Sequence, residues 1–403
     1  MVNIAILGFG VVGSGTAEVL TENKKLIEAK LGTSINIKYI LDLREFPDSP
    51  FGHLVIHDFN TILQDEEVSI VAEMMGGAHP AYDFSKAALE AKKNVVTSNK
   101  EVVATFGVEL LEIAKKNNVR YMFEASVGGG IPIIRPIQND LASNSIKSVS
   151  GILNGTTNYI LTKMASEGAD FSNVLAQAQK KGYAEANPTA DIEGLDTARK
   201  IVILAALSYG KLLNPSHIYV EGITKITGED FSIASKFGYS IKLIGYSKSF
   251  GDKILAMVSP RLVRFDNPLH NINDVFNGIL IDADMLGEVM FYGRGAGKLP
   301  TASSVVSDII DIIDAKKYNS KALGWTSASD SNMADFEKYS CRRMFIFDGN
   351  KSDVVSVFEG HCTGEIKEFG NKVAFISDEL SESEAKSKAS ACSAKLVSML
   401  RLL

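Results

Sequence analysis

The sequence predicts an α/β protein that begins with a doubly wound parallel sheet, continues into an α+β region and ends in a small module. Three observations predict this. Short apolar runs alternate with helical patterns over residues 1–133, which is typical of βα units with right-handed crossovers. A glycine-rich turn follows the first of these runs. After residue 133 the pattern changes to long helices and β-rich runs.

The first domain is predicted to span residues 1–133, with one later helix, 301–317, returning to complete it. Apolar runs of strand length and stretches of helical periodicity alternate along it. The strands fall near 2–7, 35–41, 69–73, 94–97 and 119–123, and the helices near 12–30, 80–92 and 101–117.

Residues 134–300 predict a separate α+β domain. Its helices fall at 156–167 and 193–209, and its β-rich runs near 146–153, 218–223, 240–247, 254–265 and 278–284. Residues 319–335, rich in Ser, Asn, Asp and Ala, predict a linker. Residues 336–403 predict a small ferredoxin-like module with strands at 342–347, 362–367 and 372–377 and a long helix from 381.

Composition narrows the possible functions. The net charge of −6 provides no basic surface for nucleic acid or an anionic membrane. The longest apolar stretch, 201–207, is too short to cross a bilayer. The chain opens into a strand-like run without a basic leader, and its three cysteines have no zinc spacing. We therefore expect a cytoplasmic protein with reduced thiols.

The glycine-rich turn predicts dinucleotide binding. Its six residues, Gly8, Phe9, Gly10, Val11, Val12 and Gly13, form a GxGxxG motif between a strand and a helix. The glycines let the backbone approach a pyrophosphate, and the helix N-terminus supplies free N–H groups. Asp42, after the second strand, is placed to bond the ribose of NAD, whereas Arg44 is placed to hold the 2′-phosphate of NADP. The choice between NAD and NADP stays open.

Two lysines are candidates for the chemistry. Lys100 follows a strand that ends at Thr97 and Ser98, so it is expected to point into the cofactor crevice. Asp196 and Lys200 are four residues apart on a helix that becomes apolar. This pair is either a stabilising surface ion pair or a buried amine that exchanges a proton with an alcohol while a carboxylate orients it. Glu185, in the preceding loop, is available for a substrate amino group.

Glu124 stands beside the glycine-rich run 128–130. One acid with loop carbonyls suits a group I or II cation, although a flexible hinge has the same composition. The six histidines are scattered, which argues against a transition-metal site.

These motifs together resemble homoserine dehydrogenases. They occur in that family's order over residues 1–317. The Asn-Gly-Thr-Thr-Asn-Tyr-Ile run and the Gly182–Lys200 block are far more specific than any glycine motif. The matching segments are Gly8–Gly13, Thr97–Lys100, Glu124–Ile134, Gly151–Leu161, Gly182–Lys200 and Gly293–Gly297.

The resemblance implies reversible interconversion of L-homoserine and L-aspartate 4-semialdehyde with NAD or NADP. Lys200 would exchange the proton, Lys100 would lie near the nicotinamide, and Asp196 would assist. It further implies amino-acid binding by Gly182, Glu185, Asp191 and Asp196, and cofactor contacts from the glycine turn, Asp42, Ser98, Lys100 and Gly297. A sodium ion would be held by Glu124 and the carbonyls of Val127, Gly129 and Ile131. The central domain, 134–300, would bind substrate and form a homodimer or homotetramer.

The chain departs from this family's pattern in two places. Leu41 stands where many relatives have Arg, so the coenzyme preference stays open. The ACT-like tail lacks the proline turn near Gly349, so we expect weak or no inhibition by threonine. Two other functions stay open: a related NAD(P)-dependent oxidoreductase of another amino acid or semialdehyde, and a non-catalytic NAD(P) sensor. The sensor leaves both lysines without a role.

Overall fold

The computed structural model describes residues 1–314 and 323–403, and its first layer is a six-stranded parallel sheet. The five predicted strands are confirmed, and one short strand is added. The strands are β1 (Val2–Leu7), β2 (Ile35–Leu41), β3 (Val55–Ile56), β4 (Val68–Glu73), β5 (Asn94–Thr97) and β6 (Tyr121–Met122). Their order, β3-β2-β1-β4-β5-β6, places the topological switch between β1 and β4. Ligands bind outside the carboxyl ends of the strands at such a point.

Five helices connect these strands. They are α1 (Val11–Glu22), α2 (Lys24–Leu31), α3 (Phe59–Gln64), α4 (Ala81–Glu90) and α5 (Lys100–Lys116). The prediction of one helix over 12–30 is wrong, because Asn23 leaves the helical conformation with ψ 11° and separates α1 from α2. Asparagine competes for backbone hydrogen bonds and favours helix ends.

The central region adds five helices and seven strands. The helices are α6 (Gly155–Glu167), α7 (Phe171–Lys180), α8 (Thr189–Ile192), α9 (Leu195–Tyr209) and α10 (Gly228–Lys236). The strands are β7 (Ile146–Ile152), β8 (Lys211–Leu212), β9 (Tyr219–Val220), β10 (Tyr239–Phe250), β11 (Lys253–Arg264), β12 (Phe276–Ala283) and β13 (Gly287–Arg294). The two predicted helices are confirmed as α6 and α9. The sequence did not predict α7, α8, α10, β8 and β13.

Helix α11 (Lys298–Ile313) lies against the first sheet, where Val305 and Ile309 pack with Ile4 and Ile6. Residues 315–317 of the predicted helix and 319–322 of the predicted linker lie outside the described residues. The rest of the linker is packed: Trp325 is buried with its ring 5.3 Å from that of Phe123. Strand β14 (Thr326–Ser327) then pairs with β8.

The C-terminal module has the order strand, helix, strand, strand, helix, strand, plus a small pair of strands. Its elements are β15 (Ser340–Cys341), β16 (Arg343–Asp348), α12 (Lys351–Phe358), β17 (Lys367–Phe369), β18 (Lys372–Ile376), β19 (Leu380–Ser381), α13 (Glu382–Ala391) and β20 (Lys395–Leu402). The predicted strand 362–367 is wrong, since Cys362 forms only an isolated bridge with Ser377. The predicted long helix from 381 is also wrong, because α13 ends at Ala391.

Strand β20 explains that error. It pairs antiparallel with β16 and parallel with β11, where Arg401 and Leu402 face Arg261 and Leu262. Pairing on both sides overrides the local pattern. Ten of the central and C-terminal strands therefore form one sheet, while β8 pairs with β14 and β15 with β19 in two small sheets. None of the helices in the described ranges is long and apolar enough to cross a membrane.

Candidate active site

The glycine turn between β1 and α1 has the geometry that a dinucleotide requires. Gly8 has φ +85°, a conformation that favours glycine. A Cβ on Gly13 would lie 2.0 Å from the carbonyl oxygen of Gly8, whereas a Cβ on Gly10 would meet no heavy atom within 4 Å. The start of α1 therefore packs tightly against β1 on one side and is open on the other, where its free N–H groups favour an anion.

Asp42 and Arg44 are bound to each other. The Asp42 carboxylate accepts hydrogen bonds from the N–H of Phe9 at 2.7 Å and from Arg44 Nε and Nη2 at 3.0 Å each. The Arg44 hydrogen bonds hold the pKa of Asp42 at about 2. Because the two groups that distinguish NAD from NADP form one pair, the geometry leaves that choice open.

A buried hydrogen-bond chain sets the position of Lys100. Glu73, at the end of β4, accepts from the Thr97 hydroxyl at 2.6 Å and from the N–H of Met75 at 2.7 Å. Thr97 Oγ1 accepts the N–H of Asn99, whose side chain caps the first turn of α5. Burial raises the pKa of Glu73 to about 7. Lys100 is the first residue of α5, where the helix dipole disfavours a cation, so an acid must compensate.

Asp196 is that acid, and it joins lysines from two regions of the chain. Its Oδ1 lies 2.9 Å from Lys100 Nζ, and its Oδ2 lies 2.7 Å from Lys200 Nζ. Lys200 also donates to the carbonyl oxygen of Leu153 at 2.7 Å. Asp196 and Lys200 are buried, so the sequence alternative of a surface ion pair is wrong.

Asn154 adds a second carboxylate to this cluster. Its Nδ2 donates to Asp191 Oδ1 at 2.7 Å and to Asp196 Oδ2 at 2.9 Å. Its Oδ1 accepts the N–H of Thr157 and so caps α6. One amide at the end of β7 therefore sets the spacing of both acids.

The pKa shifts separate the two lysines. Burial, assisted by the positive charge of Lys100, lowers the pKa of Lys200. The charge of Asp196 raises the pKa of Lys100. Burial pushes the pKa of Asp196 upwards, but the two lysines outweigh it and the net pKa is lowered. Burial raises the pKa of Asp191. The two amines of the cluster therefore differ, with the pKa lowered at Lys200 and raised at Lys100.

The loop before α8 lies at the outer side of this cluster. Gly182 is exposed with φ +72°, and the carbonyl oxygen of Tyr183 accepts the Thr156 hydroxyl at 2.6 Å. Glu185 is exposed, and its backbone carbonyl accepts from Gln179. Among the described residues, no hydrogen bond to the Glu185 carboxylate is present.

The Glu124 carboxylate is buried and already bonded. It accepts three successive backbone N–H groups, those of residues 133–135, at 2.6, 2.8 and 2.9 Å, and lies 3.3 Å from Arg135 Nε. The carbonyl oxygen of Gly129 accepts the Ser304 hydroxyl at 2.6 Å. Val127 and Ile131 are buried in the same loop. Within the described ranges, no group of three His, Cys, Asp or Glu side chains is arranged for a metal ion.

The remaining candidates lie at the carboxyl edge of the first sheet. Ser98 donates its N–H to the Glu73 carbonyl at 3.3 Å. Gly297 is the residue before α11. The first residue of α11, Lys298, packs against α1, because a Cβ on Gly15 of α1 would lie 2.8 Å from the Lys298 carbonyl oxygen. Val12 is half-buried in the first turn of α1. Since β5 is two strands from β1, Lys100 and the glycine turn are on the order of 10 Å apart across the sheet.

Three residues of this site were absent from the sequence candidates: Glu73, Leu153 and Asn154. An acid that closes an apolar strand is a signal for Glu73, since a buried carboxylate needs donors. The Asn-Gly-Thr-Thr run after a strand is a signal for Asn154 as a helix cap. Leu153 contributes only a carbonyl group, which no side-chain pattern reveals.

Two family models match the chain. One, described as homoserine dehydrogenase, matches residues 132–310, and the other, described as the NAD-binding domain of homoserine dehydrogenase, matches residues 8–124. The chain is 43% identical over 350 residues to a homoserine dehydrogenase of Synechocystis, covering 84% of this chain and 77% of that protein.

Solved structures of homoserine dehydrogenases have a similar fold to this chain. A homoserine dehydrogenase from Thiobacillus denitrificans superimposes with a TM-score of 0.91 at 31% identity, covering 100% of this chain and 98% of that one. A hyperthermophilic archaeal homoserine dehydrogenase in complex with NADPH superimposes with a TM-score of 0.68 at 28% identity, over 80% of this chain and 99% of that one. With a glycine turn and a buried lysine–aspartate cluster on one sheet edge, the chain belongs to the homoserine dehydrogenase family of NAD(P)-dependent oxidoreductases.

Proposed function

We propose that the chain interconverts L-homoserine and L-aspartate 4-semialdehyde with NAD or NADP, in threonine and methionine biosynthesis. One observation carries the proposal: a buried lysine, Lys200, shares Asp196 with Lys100 at the edge where the glycine turn opens. A dehydrogenase of alcohols needs such a proton-exchanging group beside its cofactor.

The residues divide the chemistry. The bound nicotinamide supplies or accepts the hydride at the substrate carbon. Lys200 gives a proton to the carbonyl oxygen in reduction and takes the hydroxyl proton in oxidation; its lowered pKa suits both directions. Asp196 orients the Lys200 ammonium, and Lys100 lies towards the nicotinamide. Asp191, Glu185 and Gly182 hold the amino-acid part of the substrate.

The cofactor contacts come from four segments: the turn Gly8–Gly13, Asp42, Ser98 and Gly297. The archaeal relative solved with NADPH supports NADP as one coenzyme of this fold, and the pairing of Asp42 with Arg44 supports neither coenzyme over the other. The protein is proposed to act in the cytoplasm.

A sodium ion is proposed at the glycine-rich loop. Its ligands differ from the set that the family resemblance implies. The Glu124 carboxylate does not fit as a ligand, because four N–H groups already occupy it. Backbone carbonyls of Glu124, Val127, Gly129 and Ile131 are the oxygens available. They suit a hard cation of low charge.

The tail and the assembly are also proposals. The order of β16, α12, β17, β18, α13 and β20 suits a ferredoxin-like, ACT-like module. The edge strand β13 exposes Tyr292, and the turn before it exposes Met285 and Leu286. A homodimer or homotetramer would cover this apolar edge.

An absorbance assay tests the function. Oxidation of NADPH and of NADH is followed with aspartate 4-semialdehyde, then with a panel of aldehydes that lack the amino group. We expect turnover with the semialdehyde and at least about a hundredfold lower kcat/KM without the amino group, since Asp191 and Glu185 would lose their partner. A better substrate elsewhere in the panel would favour the related oxidoreductase, and binding of NADPH without turnover would favour the sensor.

A further inference from the structure

The segment that carries the substrate acids, residues 191–196, is packed backbone to backbone against a second segment. The N–H of Ile223 donates to the carbonyl oxygen of Ile192 at 2.9 Å. A Cβ on Gly222 would lie 2.3 Å from that same oxygen and 2.6 Å from the Cα of Glu193. Because no space separates the two backbones, a shift of residues 221–223 must move residues 192–193.

The C-terminal strand holds this second segment by a buried cation. Arg401 Nη1 donates to Glu221 Oε2 at 2.8 Å, and Nη2 donates to the hydroxyl of Tyr219 at 3.2 Å. The Tyr219 hydroxyl donates to the same Glu221 oxygen at 2.9 Å. Arg401 is 2% exposed and also pairs with Glu382, which binds Arg343. A charge this deep is rigidly held, since losing its partners is strongly destabilising.

We infer that Arg401, acting through Glu221, is a positioning residue for the substrate acids: the last strand of the chain holds in place the backbone segment that carries Asp191 and Asp196. The inference rests on the proposed function, because it assigns those acids to the amino-acid substrate. The glycine turn and Asp42, which anchor the coenzyme, lie at the first sheet, and in the described residues no hydrogen bond joins them to residues 219–223. The effect should therefore fall on substrate affinity and spare coenzyme affinity.

The structure offers a matched control. Lys372 of β18 lies 3.1 Å from Glu229 of α10, which is a second ion pair between the C-terminal module and the central region. Glu229 stands outside residues 219–223. Removing its carboxylate takes the same charge away from the same junction without touching the path to Asp191.

The experiment compares Glu221→Ala with Glu229→Ala in the full chain. We expect Glu221→Ala to raise the KM for homoserine about three- to tenfold while the KM for NADPH is unchanged. Glu229→Ala should change neither. Glu221→Gln, which retains an acceptor oxygen for Arg401, should restore part of the affinity. Equal KM values in Glu221→Ala and Glu229→Ala, or a parallel rise for homoserine and NADPH, would overturn the inference.

A second readout needs no substrate. In hydrogen–deuterium exchange, the backbone amides of residues 192–198 should exchange faster in Glu221→Ala than in the unsubstituted chain, and not in Glu229→Ala. Equal exchange in both variants would refute the coupling. If the unsubstituted chain fails to oxidise homoserine, the proposed function fails, and the exchange comparison still decides whether Arg401 positions the segment.

Discussion

The two halves of the site are built in different ways. The cofactor turn is six consecutive residues whose backbone does the binding, with Gly13 seated against Gly8. The lysine–aspartate cluster is made by side chains from three separate segments, at Lys100, Asn154 and 191–200. The first half depends on local conformation. The second depends on packing between segments that are distant in sequence, so it should respond differently to substitution.

The largest expected effect is at Lys200. Replacing it with Met removes the proton-exchanging amine but retains an apolar side chain of similar length, so kcat should fall about a hundredfold or more. Steady-state kinetics in both directions provide the measurement, and coenzyme affinity should be unchanged because the glycine turn is remote from this change.

Lys93→Met is the control, because it removes a buried lysine that lies outside the site. Lys93 is 4% exposed and donates to the carbonyl oxygens of Asp65 and Val68 at 2.7 and 2.9 Å. Lys93→Met should lower the free energy of unfolding by about 1–3 kcal/mol, because it leaves buried carbonyls unpaired, and should preserve kcat. A similar loss of kcat in both variants would mean that Lys200 is structural.

The next largest effect is expected in the glycine turn, whose backbone binds the coenzyme. In Gly13→Ala the new Cβ would lie 2.0 Å from the Gly8 carbonyl, so the turn must open, lowering the free energy of unfolding by about 1–3 kcal/mol and abolishing tight coenzyme binding. In Gly10→Ala the new Cβ meets no protein atom. That variant should unfold normally and lose only coenzyme affinity, since the backbone must approach the pyrophosphate.

Thermal unfolding and a fluorescence titration with NADPH separate these outcomes. If Gly13→Ala unfolds at the same temperature as the unsubstituted chain, the turn is less constrained than its geometry implies. The comparison between two halves of the site would then lose its basis.

The same contrast explains what could be predicted from the sequence. Local rules sufficed for the glycine turn, for Lys100 at a strand end and for the shared helix face of Asp196 and Lys200. The contacts of Lys200 with Leu153, and of Asn154 with Asp191, join segments about forty residues apart and depend on packing. No spacing pattern contains that information.

The errors in the fold have the same origin. A long helix was expected from 381, yet the helix ends at Ala391 and residues 395–402 form β20, which is fixed by pairing with β11 and β16, far away in sequence. The carboxylate of Glu124, beside a glycine-rich loop, likewise caps the backbone at 133–135, a role that its local composition does not reveal. In both cases a distant or later segment decides the outcome, and local composition is consistent with either.

A smaller effect concerns pH. Homoserine oxidation requires a neutral Lys200, so kcat should rise with pH through the pKa of Lys200, which burial places below the ordinary lysine value. The charges of Asp196 and Asp191 raise that pKa, and the charge of Lys100 lowers it. Asp191→Asn should therefore move the rise to lower pH and Lys100→Met to higher pH.

The pH profile of kcat, compared at its inflection and not at its maximum, is the measurement, because either substitution also lowers the rate itself. Opposite displacements are the expected result. Displacement of both variants in the same direction would contradict the electrostatic account of the cluster.

The smallest expected effect concerns the preference between NADPH and NADH. Arg44→Ala frees the Asp42 carboxylate for a ribose hydroxyl and removes the cation near a 2′-phosphate, so the ratio of kcat/KM for NADPH to that for NADH should fall about three- to tenfold. The change is modest because the Arg44 side chain is 64% exposed and water screens its charge. Arg264→Ala is the control: Arg264 is as exposed and pairs with Asp266, two residues away, but on the second sheet. An unchanged ratio in Arg44→Ala would show that the pair with Asp42 is purely structural, and that another group selects the coenzyme.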